Sequence, residues 1–183
     1  MSLILASRSP ERKAILAEVV SELVVEAADV DETPLPGEDV REMVLRLAKM
    51  KAEAIYRPGG SAVVAADTVV ESAGVVLGKP QDEEHARAII ECLEGKTFNV
   101  HSGTYLILDD GRKVSDLSSA SLEMAKMSAE EQGEYFASKV WQGRAGAFSI
   151  FHEPCHTHLL SGDIYVVRGI SLSLIKKHLK EIG

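Results

Sequence analysis

Charged side chains stand where charge is costly, or at the ends of apolar runs, at Arg12, Glu32, Lys51, Asp67, Lys79 and Arg144. Asp67 interrupts Ala62-Val63-Val64-Ala65-Ala66 and Thr68-Val69-Val70, which together read as a buried strand. A lone carboxylate there must be paired, hydrogen-bonded or bound to a metal. Lys51 lies between Leu47 and Ile55 at helical spacing, inside an apolar stripe rather than opposite it. It either snorkels along its own stem or holds an ammonium at the core edge facing an anion. Asp29-Val30-Asp31-Glu32-Thr33-Pro34 masses carboxylates ahead of a turn signal. That is a solvated loop or a source of the oxygen ligands Mg²⁺ takes. No credible Ser-His-Asp set and no complete Gly-rich nucleotide loop occurs. Cations with two carboxylates and no covalent nucleophile suit metal-assisted attack of water on a phosphoryl group.

These residues need elements to place them. Leu3-Ile4-Leu5-Ala6 reads as a buried strand that passes at once into a helix, with Ser9 as N-cap and Pro10 at its first position. The free N–H groups of that turn, with Ser7, Arg8, Arg12 and Lys13 around it, form a seat for the anionic end of a ligand; the alternative is an ordinary strand-to-helix join with solvated basic residues. A second strand is expected over 22–28 and an amphipathic helix over 38–56. The strand over 62–70 turns at Ala73-Gly74, and its return over 75–77 delivers Gly78-Lys79-Pro80, placing Lys79 near Asp67. A helix over 82–93 precedes two long strands, 97–109 and 113–126, joined at Asp110-Gly111. Ser128 and Glu131 form a capping box for a helix reaching Lys139. The Gly- and Ala-rich piece 143–151 lets backbone or ligand approach closely. A last strand is expected over 163–168, then a helix from Ser171. Alternating strands and helices with hairpins make the class α/β or α+β around a mixed sheet.

His152, Cys155, His156 and His158 are of zinc-ligand type, but their spacing matches no established Cys/His module. If 152–158 were a strand, His156 and His158 would share a face. A metal-dependent site and a polar strand with incidental histidines both stay open.

The chain has 183 residues, 45% hydrophobic and 26% charged, enough for one domain, or one with two lobes, around a real core. A net charge of -8 disfavours non-specific binding of nucleic acid or anionic membrane, so an anionic substrate needs a local basic pocket or a bridging metal. Two cysteines, Cys92 and Cys155, fit a reducing compartment. With no membrane-spanning run and no charged leader before the first apolar stretch, a cytoplasmic protein is expected.

The ordered motifs resemble the Maf family over nearly the whole chain. Leu5-Ala6-Ser7-Arg8-Ser9-Pro10-Glu11-Arg12-Lys13 is similar to its opening signature, Leu-Ala-Ser-x-Ser-Pro-Arg-Arg. Asp31-Glu32, Leu47-Ala48-Lys49-Met50-Lys51-Ala52, Ala66-Asp67-Thr68-Val69-Val70 and Gly78-Lys79-Pro80 follow in the family's order. Arg144-Ala145-Gly146-Ala147-Phe148 resembles Lys-Ala-Gly-Ala-Tyr, and Gly169-Ile170-Ser171-Leu172 resembles Gly-Leu-Pro-Leu. The resemblance implies a single domain over 1–183 with an inosine-triphosphatase-like fold: two lobes, a long mixed sheet, an active cleft between them, and often a homodimer. It implies a pyrophosphatase that converts a nucleoside triphosphate (dTTP/UTP-like or modified) to monophosphate and pyrophosphate with Mg²⁺, Mn²⁺ or Co²⁺. By position, Asp67 would activate water and bind metal with Glu32, while Ser7, Arg12, Lys51, Lys79 and Arg144 would hold the substrate.

The base-reading positions depart from the family. Glu11 replaces the signature's first arginine, and Phe151 replaces the Gln of the dTTP- and UTP-cleaving members. The 7-methyl-GTP-cleaving members have Trp at the first position and a Glu near the second. Thr68 agrees with the pyrimidine group, whereas 29–34 looks more like the other. Glu11, Thr68 and Phe151 are therefore the specificity candidates. The competing class is a non-catalytic nucleotide- or partner-binding regulator of septum formation.

Overall fold

The computed structural model describes residues 2–181. Helical crossovers impose parallel pairing on the first strands. β1 (Ser2–Leu5) leads into α1 (Pro10–Ala17) and β2 (Glu22–Val25), and α2 (Val40–Ile55) returns the chain to β3 (Ala62–Ser72). β1 is parallel to both neighbours, with Leu3 opposite Leu23 and Leu5 opposite Val64. The turn at Ala73-Gly74, both at positive φ, folds β4 (Val75–Leu77) antiparallel on β3, with Val70 opposite Leu77. α3 (Glu83–Leu93), β5 (Lys96–Ile107), β6 (Lys113–Met124), α4 (Ala129–Ser138), β7 (Thr157–Ser161), α5 (Ile164–Val167) and α6 (Leu172–His178) follow. The seven-stranded mixed sheet runs β2-β1-β3-β5-β6-β7, with β4 on β3. The Asp110-Gly111 turn joins β5 to β6, where the Gly111 N–H donates to the Leu108 carbonyl.

Two compact units emerge. Met1–Thr68, His101–Ser118 and Tyr165–Gly183 form one, and Val69–Val100 with Ser119–Ile164 the other. In the first unit, strand alternation sorts the apolar residues between two helical layers. Leu3, Leu5, Ala62, Val64, Ala66 and Leu106 pack with Ile15 and Leu16 of α1 and Leu172 and Ile175 at α6. Ala6, Val63, Ala65 and Ile107 pack with Ala52 and Ile55 of α2. Even-numbered positions of β3 and β5 thus face α1 and α6, and odd ones face α2. Gly103 obeys this rule: a Cβ there would lie 2.6 Å from the backbone of Val44 and Leu45, so α2 can sit this close only on a glycine.

In the second unit, Ala86, Ile89, Ile90 and Leu93 of α3 are buried with Phe98, Leu122, Phe136 and Phe148. The Phe98 and Phe148 rings meet edge-on at 5.2 Å. The buried Tyr135 hydroxyl donates to the Ala147 carbonyl at 2.7 Å, and burial pushes that phenol well above its usual range.

One expectation is corrected and one conditional reading is resolved. Residues 163–168 form no strand: Ile164–Val167 is one helical turn, closed by Gly169 at φ 96°, whose N–H donates to the Val166 carbonyl. β-branched propensity in so short a run yields to the tertiary need for a tight return. Nor is 152–158 a single strand. β7 begins at Thr157, and His156 stands outside it at φ 40°. Among the described residues no helix is long and apolar enough to cross a membrane.

Candidate active site

The alternation of β3 distributes its polar residues. Asp67, in odd register, faces α2; Thr68, in even register, faces α1. Lys51, buried on the apolar stripe of α2, donates to Asp67 Oδ1 at 2.6 Å. The same ammonium lies 3.0 Å from Glu32 Oε1. The Lys51 and Asp67 side chains are 10% and 14% exposed and Glu32 is 57% exposed, so one buried cation meets one buried and one solvated carboxylate. Each buried charge has the partner that burial requires.

On the opposite face, Ser9 caps α1 by accepting from the Arg12 N–H at 3.3 Å. The half-buried Arg12 side chain spreads three ways. Nη1 donates to Ser7 Oγ at 3.1 Å, Nη2 to Thr68 Oγ1 at 3.1 Å, and Nε to the Gly169 carbonyl at 2.7 Å. Thr68 also meets Ser102 Oγ at 3.1 Å. Burial pulls the Arg12 guanidinium below its ordinary value, while the charges of Asp67 and Glu32 pull it back. Gly169 is required twice over. It holds φ 96°, and a Cβ would stand 3.1 Å from Thr68 Oγ1 and 3.3 Å from Arg12 Nε. Beside it, Arg168 Nε donates to Glu11 Oε2 at 3.0 Å, so the first turn of α1 is clasped by consecutive residues on each side.

Ser7, Arg12, Glu32, Lys51, Asp67 and Thr68 thus come together within the first unit. Lys79, Arg144 and Phe151 belong to the second. There the Gly146 N–H donates to the Gly78 carbonyl at 3.0 Å, tying the 144–148 segment to the residue before Lys79. Arg144 Nε donates to the Val140 carbonyl at 2.9 Å, and Phe151 is 64% exposed. The zinc-type residues of 152–158 have separate partners. His156 Nε2 meets Glu131 Oε1 at 2.7 Å, the His152 ring lies on Tyr135, buried Cys155 receives Thr157 Oγ1, and His158 is opposite Glu123. Among the described residues no three His, Cys, Asp or Glu side chains gather as a metal site.

Sequence reasoning missed the supports. Ser102 and Gly103 of β5, Arg46 with Glu38, and Arg168 all hold site residues or the helices that carry them. The one available signal was Ser102-Gly103-Thr104, a run of small residues in the middle of the β5 strand. In donor chemistry, Glu32 and Asp67 fit a hard divalent cation: two carboxylates already converge on one positive charge, and Mg²⁺ takes one or two with waters and phosphate oxygens.

Fold and site together define an α/β protein that gathers guanidinium, ammonium and carboxylate groups where its first parallel strands end. The chain belongs to the Maf family, whose profile, described as Maf-like protein, matches residues 2–182. A dTTP/UTP pyrophosphatase of Methanosarcina barkeri is 34% identical over 185 residues, covering 99% of this chain and 94% of that protein. Another, from Novosphingobium aromaticivorans, is 40% identical over 151 residues, 81% of this chain and 75% of its own length. Among solved structures, the Ham1 protein of Staphylococcus aureus aligns at a TM-score of 0.44 and 16% identity, over 68% of this chain and 72% of that one.

Proposed function

We propose that this protein is a nucleoside triphosphate pyrophosphatase, converting a dTTP/UTP-like or modified nucleotide to its monophosphate and pyrophosphate. The observation that carries the reading is the Lys51 ammonium joining Asp67 and Glu32, on the strand whose next residue anchors Arg12. Its support is a family whose relatives named above are dTTP/UTP pyrophosphatases.

In this reading Ser7, the first turn of α1 and Arg12 bind phosphate oxygens, the guanidinium being pre-aligned by Ser7, Thr68 and Gly169. Water attacks the α-phosphorus, the bond to the β-phosphate bridging oxygen breaks, and the water proton passes to the Asp67 carboxylate. Lys51 orients that carboxylate and offsets the charge that gathers there. Glu32 and Asp67 would hold a divalent metal, which when bound neutralises charge on the phosphoryl oxygens. Lys79 and Arg144 are assigned to the substrate by motif position, and Glu11, Thr68 and Phe151 to base choice. A homodimer in the cytoplasm belongs to the same reading.

The test is pyrophosphate release from a panel of canonical and modified nucleoside triphosphates with Mg²⁺, Mn²⁺ or Co²⁺, using wild type and Asp67→Asn. Release that depends on Asp67 is the expected result. Silence across the panel from folded protein overturns the reading in favour of a binding protein.

A further inference from the structure

We infer that Arg46 is a positioning residue that holds Glu32 in place against Lys51 and Asp67. The kinetic meaning of this rests on the proposed hydrolase reading, but its physical test does not.

Residues 29–39 form no helix or strand and carry Asp29, Asp31, Glu32, Glu38 and Asp39, whose like charges repel. The Glu32 side chain is more than half exposed, so packing does not fix it. Arg46 of α2 does what packing cannot. Its Nε and Nη2 donate to the two carboxylate oxygens of Glu38 at 2.5 and 2.7 Å. Nη2 also donates at 3.3 Å to the carbonyl of Thr33, the residue after Glu32. Glu38 Oε2 in turn accepts the Leu35 N–H at 3.1 Å, and Asp31 accepts the Thr33 N–H at 2.9 Å. Met50 Sδ, one turn on, takes Nη1 at 3.4 Å. One guanidinium therefore ties both ends of the 33–38 segment to the helix that also presents Lys51. The charges agree with this: Arg46 holds the Glu38 carboxyl below its usual range, and Glu38, with Asp31 and Asp67, raises Arg46. A planar fork is needed, because a lysine offers a point charge and cannot span two carboxylate oxygens and a carbonyl.

The test uses the full chain, as Arg46→Lys and Glu38→Gln, with thermal melts to show that each folds and hydrogen exchange measured before any metal is added. Hydrogen exchange should quicken about 10-fold or more in peptides covering 30–36 and stay unchanged in α2. Calorimetric titration with MnCl₂ should show Arg46→Lys weakening the ion about 10-fold. The Arg46→Lys/Glu32→Gln pair should be no weaker than Glu32→Gln alone. Unchanged exchange in 30–36 in both variants, or effects of Arg46 and Glu32 that multiply, would overturn the inference. If wild type cleaves no nucleotide while exchange and coupling behave as expected, the hydrolase reading fails and the role of Arg46 stands.

Discussion

Replacing Asp67 by Asn removes a charge and keeps the shape, so its consequences can be worked from the contacts. The carboxylate accepts from Lys51 at 2.6 Å with both side chains largely buried, while Lys51 keeps Glu32 at 3.0 Å. Folding therefore loses one charge-assisted hydrogen bond, about 1.5–3 kcal/mol, and no ion is left unpaired. In a chain of 183 residues each kcal/mol moves Tm by about 2–4 °C, so the expected fall is about 3–12 °C. Turnover should fall far more, by about 10²–10⁴ in kcat, if Asp67 takes the water proton. Lys51→Met is the contrast. It leaves the carboxylates of Asp67 and Glu32 facing each other without the ammonium that joins them. Breaking a buried pair from one side costs about 3–5 kcal/mol, and the exposure of Glu32 favours the lower end. Both variants should lose pyrophosphate release in a coupled assay, but urea denaturation should rank Lys51→Met as the less stable. If Asp67→Asn keeps a kcat within tenfold of wild type, its role as base is wrong. If it is less stable than Lys51→Met, Lys51 is not the shared partner of the two carboxylates.

Gly103→Ala should destabilise by about 1–3 kcal/mol, read as a lowered urea midpoint, because its Cβ would meet the α2 backbone at 2.6 Å and a main chain cannot swing aside. Glu131 is held down to about 2, first by the hydrogen bond from His156 and then by those from Ser128. A carboxyl depressed in the folded state contributes stability that is complete above its ordinary value of 4.5 and is lost as pH falls toward 2. Glu131→Gln should therefore flatten the decline of the urea midpoint between pH 5 and 3 relative to wild type; parallel curves would remove the capping box from the acid response. Phe151→Gln should shift relative rates toward dTTP and UTP, measured by competition between triphosphates. Unchanged ratios would place base reading elsewhere.

What the sequence carried by itself was local or periodic. Ser9, Ser128 and Ser171 cap helices through bonds spanning only three residues, so the chain needs no tertiary context to mark those starts. Lys51 inside an apolar stripe and Asp67 inside an apolar run were visible because burial of an unpaired charge is unfavourable wherever it occurs. The ordered motifs pointed to the family. Partners were a different matter. That Asp67 meets Lys51 while its neighbour Thr68 meets Arg12 depends on which helix covers which face of β3, and period-two alternation cannot say that until the crossovers are laid down. Arg46 was one more helical arginine until Glu38 and Thr33 came round to it. Val166-Val167 read as strand because propensity weighs only neighbours in sequence. The structure made it a turn of helix, and that turn brings the Gly169 carbonyl to Arg12 across 157 residues of chain. Contacts at that separation come from packing the whole core, so only the tertiary structure could decide them.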